Sequence, residues 1–168
     1  MDYKRFILLF SIIFYLSGCS SIGPSFTTPV LLEEINILAD QDANDGDATS
    51  LDVVICYDEN LFQKLLNMKA STYFAKADEL EQNNPDTLER SHFEVVAGST
   101  IREDIQKKSN RGVGALIFAD IKAPGTHRYR VGSGVRVSVK LLQNSMEVEE
   151  KENFKLTTAV RRSLSWLY

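Results

Sequence analysis

The sequence is poor in what usually marks a catalytic or metal-binding protein. It has 2 histidines in 168 residues, His92 and His127, far apart and with no cysteine or second histidine at metal-ligand spacing. No serine stands in a nucleophile-elbow setting, and no pair of carboxylates is framed by apolar residues for acid–base work. Lys and Arg form no run, and a thinly spread net charge of -4 excludes nucleic acid as the natural partner. Cysteine is nearly absent, with 2 in the chain. One of them, Cys56, lies inside an apolar strand pattern where a thiol fills space rather than reacts. There is no βαβ alternation and no internal repeat, which sets aside doubly wound and solenoid folds. Gly112-Val113-Gly114 lacks the later glycine and the following helix of a phosphate or dinucleotide loop, and reads as close packing in a strand. No cofactor and no metal is expected.

What is present begins at the N-terminus. Lys4 and Arg5 supply a positive segment, Phe6 to Leu16 is apolar but too short to span a bilayer, and Leu16-Ser17-Gly18-Cys19 ends it in small residues. This is the pattern of a signal peptide over residues 1–18, and the tetrapeptide resembles the lipobox of bacterial lipoproteins. That resemblance implies cleavage before Cys19 and acylation of its thiol and new amine. Several acyl chains at about 0.8 kcal/mol per buried methylene make release from the membrane negligible. Ser20 stands where retention in the inner membrane would usually show Asp, so the implied destination is the inner leaflet of an outer membrane. Losing 18 of 168 residues leaves 150, the size of one domain with a full core. With Cys19 acylated, Cys56 has no intramolecular disulfide partner, and the fold must rest on apolar packing.

Residues 19–32 are rich in Ser, Thr, Gly and Pro and read as a lipidated tether. From residue 33 to 168 the pattern is that of an all-β sandwich with one helical insert. Ile35 and Ile37 alternate with Glu34, Asn36 and Leu38 between Glu33 and Ala39, a short strand. Leu51 to Tyr57 alternates again, with Leu51, Val53, Ile55 and Tyr57 on one face and Asp52, Val54 and Cys56 on the other. Asp58 is placed to cap a helical insert over about 58–84, where Leu61, Phe62, Leu65, Leu66 and Met68 recur at helical spacing before Asn83-Asn84-Pro85 stops it. Phe93 and Val95, a turn at Ala97-Gly98, then Ile101 and Ile105 read as a hairpin. Gly112 to Ile121 is the most apolar stretch after the N-terminus and suits a central strand covered on both faces. His127 to Val131 makes a short edge strand. Val135 to Leu141 alternates with Arg136, Ser138 and Lys140 and turns at Asn144-Ser145 into a last strand at Met146 and Val148. In the tail, Leu156, Val160, Leu164 and Leu167 fall on one helical face beside Arg161 and Arg162, so a C-terminal helix is possible. Many short strands at close spacing, interrupted once by helix, indicate a sandwich.

One stretch stands out for recognition. Asp40-Gln41-Asp42-Ala43-Asn44-Asp45-Gly46-Asp47 is made of turn formers and carboxylates without apolar residues to anchor it, and is expected to be a solvated loop. It falls short of an EF-hand, because the glycine comes one residue late and Leu51 occupies the bidentate acid position.

Taken in order, these segments resemble the TssJ (SciN) family of outer-membrane lipoproteins of type VI secretion systems. The matching segments are Ile35-Asn36-Ile37-Leu38-Ala39 before the Asp/Asn/Gly loop, Val53-Val54-Ile55-Cys56-Tyr57 entering the insert, Phe93-Glu94-Val95-Val96-Ala97-Gly98-Ser99-Thr100 where the family has a P-G-E-T type turn, the apolar strand from Arg111 to Ile121, and the closing hairpin from Val135 to Val148. Ala97 departs from the family's proline, the insert is long, and the chain after Glu149 has no counterpart. The resemblance implies a transthyretin-like β-sandwich, not an enzyme. It also implies a partner: the periplasmic C-terminal region of an inner-membrane TssM-like protein, with outer-membrane lipid held through Cys19. The loop between the first two strands is a family contact region, which makes Asp42, Asn44, Asp45 and Gly46 the candidate partner-binding residues. Two other readings compete: a pilotin or assembly lipoprotein of another secretion system, and a periplasmic lipoprotein hydrolase using an exposed Cys56 or a histidine.

Overall fold

The computed structural model describes residues 30–109 and 112–151. The signal peptide, Cys19, most of the tether and the tail after Lys151 with its helical pattern lie outside the described residues.

Among the described residues, eight strands form two four-stranded sheets packed face to face. The first sheet has the order β4-β1-β7-β8 and the second β3-β2-β5-β6, with β1 at Glu34–Ala39, β2 at Thr49–Cys56, β3 at Leu88–Val95, β4 at Thr100–Asp104, β5 at Gly114–Ala119, β6 at Arg128–Val131, β7 at Arg136–Leu141 and β8 at Met146–Lys151. All neighbours run antiparallel except β1 and β7, which pair in parallel from Glu34 opposite Arg136 to Ala39 opposite Leu141. The alternation seen in the sequence is what makes the sandwich. Ile35 and Ile37 from β1, Leu51, Val53 and Ile55 from β2, Ile117 from β5 and Val137, Val139 and Leu141 from β7 meet in one buried core between the sheets. Burying each such side chain stabilises by about 1.5–3 kcal/mol.

The outer face of the second sheet is covered as well. The insert forms α1 (Glu59–Leu66), α2 (Ala70–Phe74) and α3 (Ala77–Asn83), and Phe62, Leu65, Tyr73 and Leu80 pack on Val54, Cys56, Leu116 and Phe118 in a second core. Asp58 caps α1 as its position suggests, accepting the Leu61 N–H at 2.8 Å, which satisfies one of the helix's orphan donors. Every residue of β5 is consequently buried, which is why Gly112 to Ile121 has so little polar relief. Gly114 is the close-packed glycine of that strand: a Cβ there would collide with the ring of Phe62.

One expectation is corrected. Phe93–Val95 and Ile101–Ile105 do not pair as a hairpin: β3 pairs with β2 and β4 with β1. The turn at Val96–Ser99, with Gly98 at φ 76°, therefore carries the chain from one sheet to the other. Alternation specifies that two strands exist, while the choice of partner is set by distant segments that offer a larger apolar face.

Candidate functional site

The topology sorts the connections by end. Before β1 the chain comes in at Val30, where Lys107 Nζ donates to the Val30 carbonyl at 3.3 Å and Glu33 N–H donates to Val135 O at 2.7 Å. We call this the near end; β8 also finishes there, opposite Arg136. The β1–β2, β3–β4, β5–β6 and β7–β8 connections all gather at the far end. The Asp40–Asp47 loop is thus part of a tip facing away from the point where the chain arrives.

The structure divides the candidate residues of that loop into two kinds. Ala43 and Asn44 are buried, which corrects the expectation of a fully solvated loop without an anchor. Asn44 is the anchor. Its Nδ2 donates to Ala48 O at 3.2 Å and to Asp120 O at 3.4 Å, its Oδ1 accepts the Lys122 N–H at 2.9 Å, and its own N–H reaches Leu142 O at 3.3 Å. One amide side chain thereby ties the loop to the connection after β5, while its backbone ties it to the connection after β7. Asn44, Asp45 and Gly46 take φ values of 51°, 58° and 82°, a left-handed turn that Asn, Asp and Gly tolerate far better than other residues. That turn exposes Asp45 and Gly46 while holding Asn44 inside.

Asp42 is exposed and makes no side-chain cap to the turn that follows it. Asp45 Oδ1 accepts from Gln143 Nε2 at 2.9 Å. The flanking carboxylates are neutralised locally: Asp40 pairs with Lys140 at 3.0 Å and Asp47 pairs with Lys122. The hydrogen bond that Lys122 donates to Asp47, followed by the Asp47 charge, lifts the Lys122 ammonium above its ordinary pKa. The carboxylates at the ends of the loop thus face their own cations, and those at its crest, Asp42 and Asp45, face outward.

A second acidic centre escaped the sequence reading. Asp52 is completely buried on β2, on the face under the insert. Its Oδ2 accepts from Tyr73 OH at 2.8 Å and from Arg90 Nε at 2.5 Å, and its Oδ1 lies 2.6 Å from His92 Nδ1. Arg90 in turn donates to Asp78 at 2.7 Å and to Glu81 at 3.4 Å. Burial, then the charge and hydrogen bond of Asp52, push the Tyr73 phenol above its usual range. Burial works against the charge of Arg90, yet the hydrogen bond to Asp78 and the Asp52 carboxylate outweigh it and hold the guanidinium charged. Tyr73 also stacks on Phe118 at 4.1 Å. The cluster clamps α2 and α3 to β2 and β3. His92 is its solvent-side member. The available signal was Asp52 itself, a carboxylate on a strand face otherwise made of Val54 and Cys56.

The arrangement offers little for catalysis. Cys56 is fully buried, and burial, helped by the charge of Asp58, pushes its thiol up to about 12, so it supplies essentially no thiolate near neutrality. The hydrolase reading that used an exposed Cys56 loses its nucleophile. Among the described residues, no helix is long and apolar enough to cross a membrane.

Two packed four-stranded sheets with an anchored acidic loop at one end define a protein of the β-sandwich class. No protein-family model and no curated protein sequence matches the chain. Solved structures do. The T6SS lipoprotein TssJ1 from Pseudomonas aeruginosa is similar with a TM-score of 0.54 at 15% identity, covering 75% of this chain and 99% of that one. Serratia marcescens Lip, a membrane-bound component of the type VI secretion system, is similar with a TM-score of 0.52 at 9% identity, covering 75% of this chain and 100% of that one. A chain in the structure of the T6SS protein TssM C-terminal domain from EAEC is similar with a TM-score of 0.53 at 10% identity, covering 71% of this chain and 100% of that one. The likeness is one of fold: the all-β sandwich expected from the sequence is the sandwich of these proteins.

Proposed function

We propose that this chain is a lipoprotein anchored through Cys19 in the periplasmic face of the outer membrane. There it tethers the trans-envelope complex of a type VI secretion system by binding the periplasmic C-terminal region of an inner-membrane TssM-like protein. The observation that carries this reading is the polarity of the sandwich. The chain comes in at one end, and the outward carboxylates of Asp42 and Asp45, held up by Asn44 and Gly46, crown the opposite end. Val30 lies eleven positions after Cys19, and eleven fully extended residue steps span at most about 36–40 Å. A domain held on such a tether presents its far tip to a partner spanning the periplasm. A rigid sandwich carrying a shaped, charged loop suits such a role. The lipobox-like Leu16-Ser17-Gly18-Cys19 and the fold shared with a T6SS lipoprotein both support it.

The test is titration of the Cys19→Ser protein against the periplasmic region of its TssM-like partner. Asp42→Asn/Asp45→Asn keeps the left-handed turn, because Asn tolerates it, and removes two charges. Kd should rise by about tenfold or more as charge-assisted hydrogen bonds are lost. Unchanged affinity would remove the tip from the interface. Cys19→Ser should also leave the outer-membrane fraction in cells; a variant that still floated with the outer membrane would overturn the anchor.

A further inference from the structure

The two open sides of the sandwich are unlike. On one side run the edge strands β6 and β8, and Glu150 seals them together, accepting from Tyr129 OH at 3.0 Å, Gly132 N–H at 2.8 Å and Gly134 N–H at 2.7 Å. On the other side run β3 and β4, each the last strand of its sheet. They leave a cleft of about 590 Å³ between them. Phe93 and Ile101, packed against the core, contribute its apolar lining, and Glu94, Glu103, Asp104 and Gln106 also line it. The nearby guanidinium groups make their short contacts elsewhere, although the hydrogen bond and charge of Glu34 that raise the Arg102 pKa are joined by the charge of Asp104. Arg102 and Arg136 both turn to Glu34, at 3.0 and 3.7 Å, and among the described residues Glu103 and Asp104 form no ion pair. Two strand edges that pair with no further strand among the described residues, beside an apolar, acidic cleft, are a template for unwanted pairing unless something covers them.

We propose that the cleft is the docking site of this chain's own C-terminal segment, residues 152–168. The chemistry matches. The segment carries Lys155, Arg161 and Arg162 against a single acid, Glu152, and its apolar residues include Leu156, Val160, Leu164 and Trp166. A cationic, apolar peptide is what an acidic cleft with Phe93 and Ile101 in its wall takes up. The reach matches too. Lys151 stands opposite Arg136, Arg136 opposite Glu34 and Glu34 opposite Asp104, so the last described residue and the cleft lie in one row across the first sheet. Three strand spacings of about 4.8 Å put them about 14 Å apart, and about five extended residues cover that distance. Of the 17 residues after Lys151, the remainder is free to lie in the cleft, with the cations of Arg161 and Arg162 falling within that remainder. The docked segment closes the open side as Glu150 closes the other and shields both edges. This inference does not depend on the partner proposed above.

The experiment is amide hydrogen exchange on the full chain purified in detergent, compared with a chain ending at Lys151. Without the segment, amides of residues 91–95 and 100–104 should exchange about tenfold faster or more, while those of β2 and β5 keep their rates. A synthetic peptide of residues 152–168 added to the shortened chain should restore the protection saturably, and less so as salt is raised. Because shortening could loosen the whole fold, Glu103→Lys/Asp104→Lys in the full chain serves as the second variant and should show the same local acceleration. Equal exchange at the β3 and β4 edges with and without the segment overturns the proposal. So does protection of the full chain that fades on dilution, which would place the tail of a second copy in the cleft.

Discussion

The molecule has two acidic centres built on opposite principles. At Asp52 a carboxylate is taken entirely out of water and given three partners from two elements: Tyr73 from α2, and Arg90 and His92 from β3. At the tip, Asp42 and Asp45 stay in water, and Asn44 is the one polar side chain of the loop that goes inside. The buried centre is committed to structure, since both carboxylate oxygens of Asp52 are engaged in the clamp. The tip keeps Asp42 and Asp45 out of ion pairs among the described residues, with Asp45 accepting the exposed hydrogen bond from Gln143, and spends a neutral amide on positioning. An internal amide with satisfied hydrogen bonds costs far less desolvation than an internal carboxylate, so a loop that has to present charge is better anchored through Asn than through Asp.

The largest effect should come from breaking the buried centre. Asp52→Ala leaves the Arg90 guanidinium with only Asp78 and Glu81 and leaves the Tyr73 hydroxyl unpaired, and is expected to cost about 3–5 kcal/mol. Asp78→Ala, at a side chain 85% exposed, should cost less than about 1 kcal/mol. Urea unfolding of the two variants checks this, and equal losses would show that the clamp is not centred on Asp52. Next is the strand beneath the clamp. Leu116 faces the insert and Ile117 faces the inter-sheet core, so Leu116→Ala and Ile117→Ala should each cost about 2–5 kcal/mol through lost burial and cavity formation. A variant within a few tenths of a kcal/mol of wild type would show that its side of the strand is not packed.

Much of this architecture was legible because local pattern and burial coincide. The run from Gly112 to Ile121 announced a doubly covered strand, Asp58 announced a helix start, and the Val135–Val148 alternation announced β7 and β8. What escaped was non-local. Ala97-Gly98 looks the same whether it closes a hairpin or carries the chain between sheets, because the difference lies in β1 and β2, tens of residues upstream. The pairing of Asp52 with His92 and of Val54 with Arg90 is a matter of register, invisible until β2 and β3 are placed side by side. Asn44 was hidden for a different reason. In a run of Asp, Asn and Gly, composition gives the same weight to the residue that turns inward and to those that turn outward.

Asn44 offers an intermediate effect that separates positioning from contact. Asn44→Ala removes the acceptor for the Lys122 N–H and places an alanine at φ 51°. Together these should cost about 2–4 kcal/mol. Partner affinity should fall with it, although Asn44 is only 3% exposed. Should thermal unfolding of this variant match wild type, the loop would not be anchored through this residue.

The smallest stability effect is expected at the crest, and it bears most directly on function. Asp42→Asn/Asp45→Asn removes no buried surface. Its one hydrogen bond at stake, from Gln143 to Asp45, is exposed, and a side-chain amide oxygen accepts it as a carboxylate does. The left-handed conformation at Asp45 suits Asn equally well. Stability should therefore shift by less than about 0.5 kcal/mol, or about 2 °C in melting temperature, while partner affinity falls. That dissociation is the signature of charges kept for another molecule. A melting temperature lowered by as much as that of Asn44→Ala would mean that the crest carboxylates hold the tip together. The two acidic centres would then both be structural, and the interface would have to be sought on another surface.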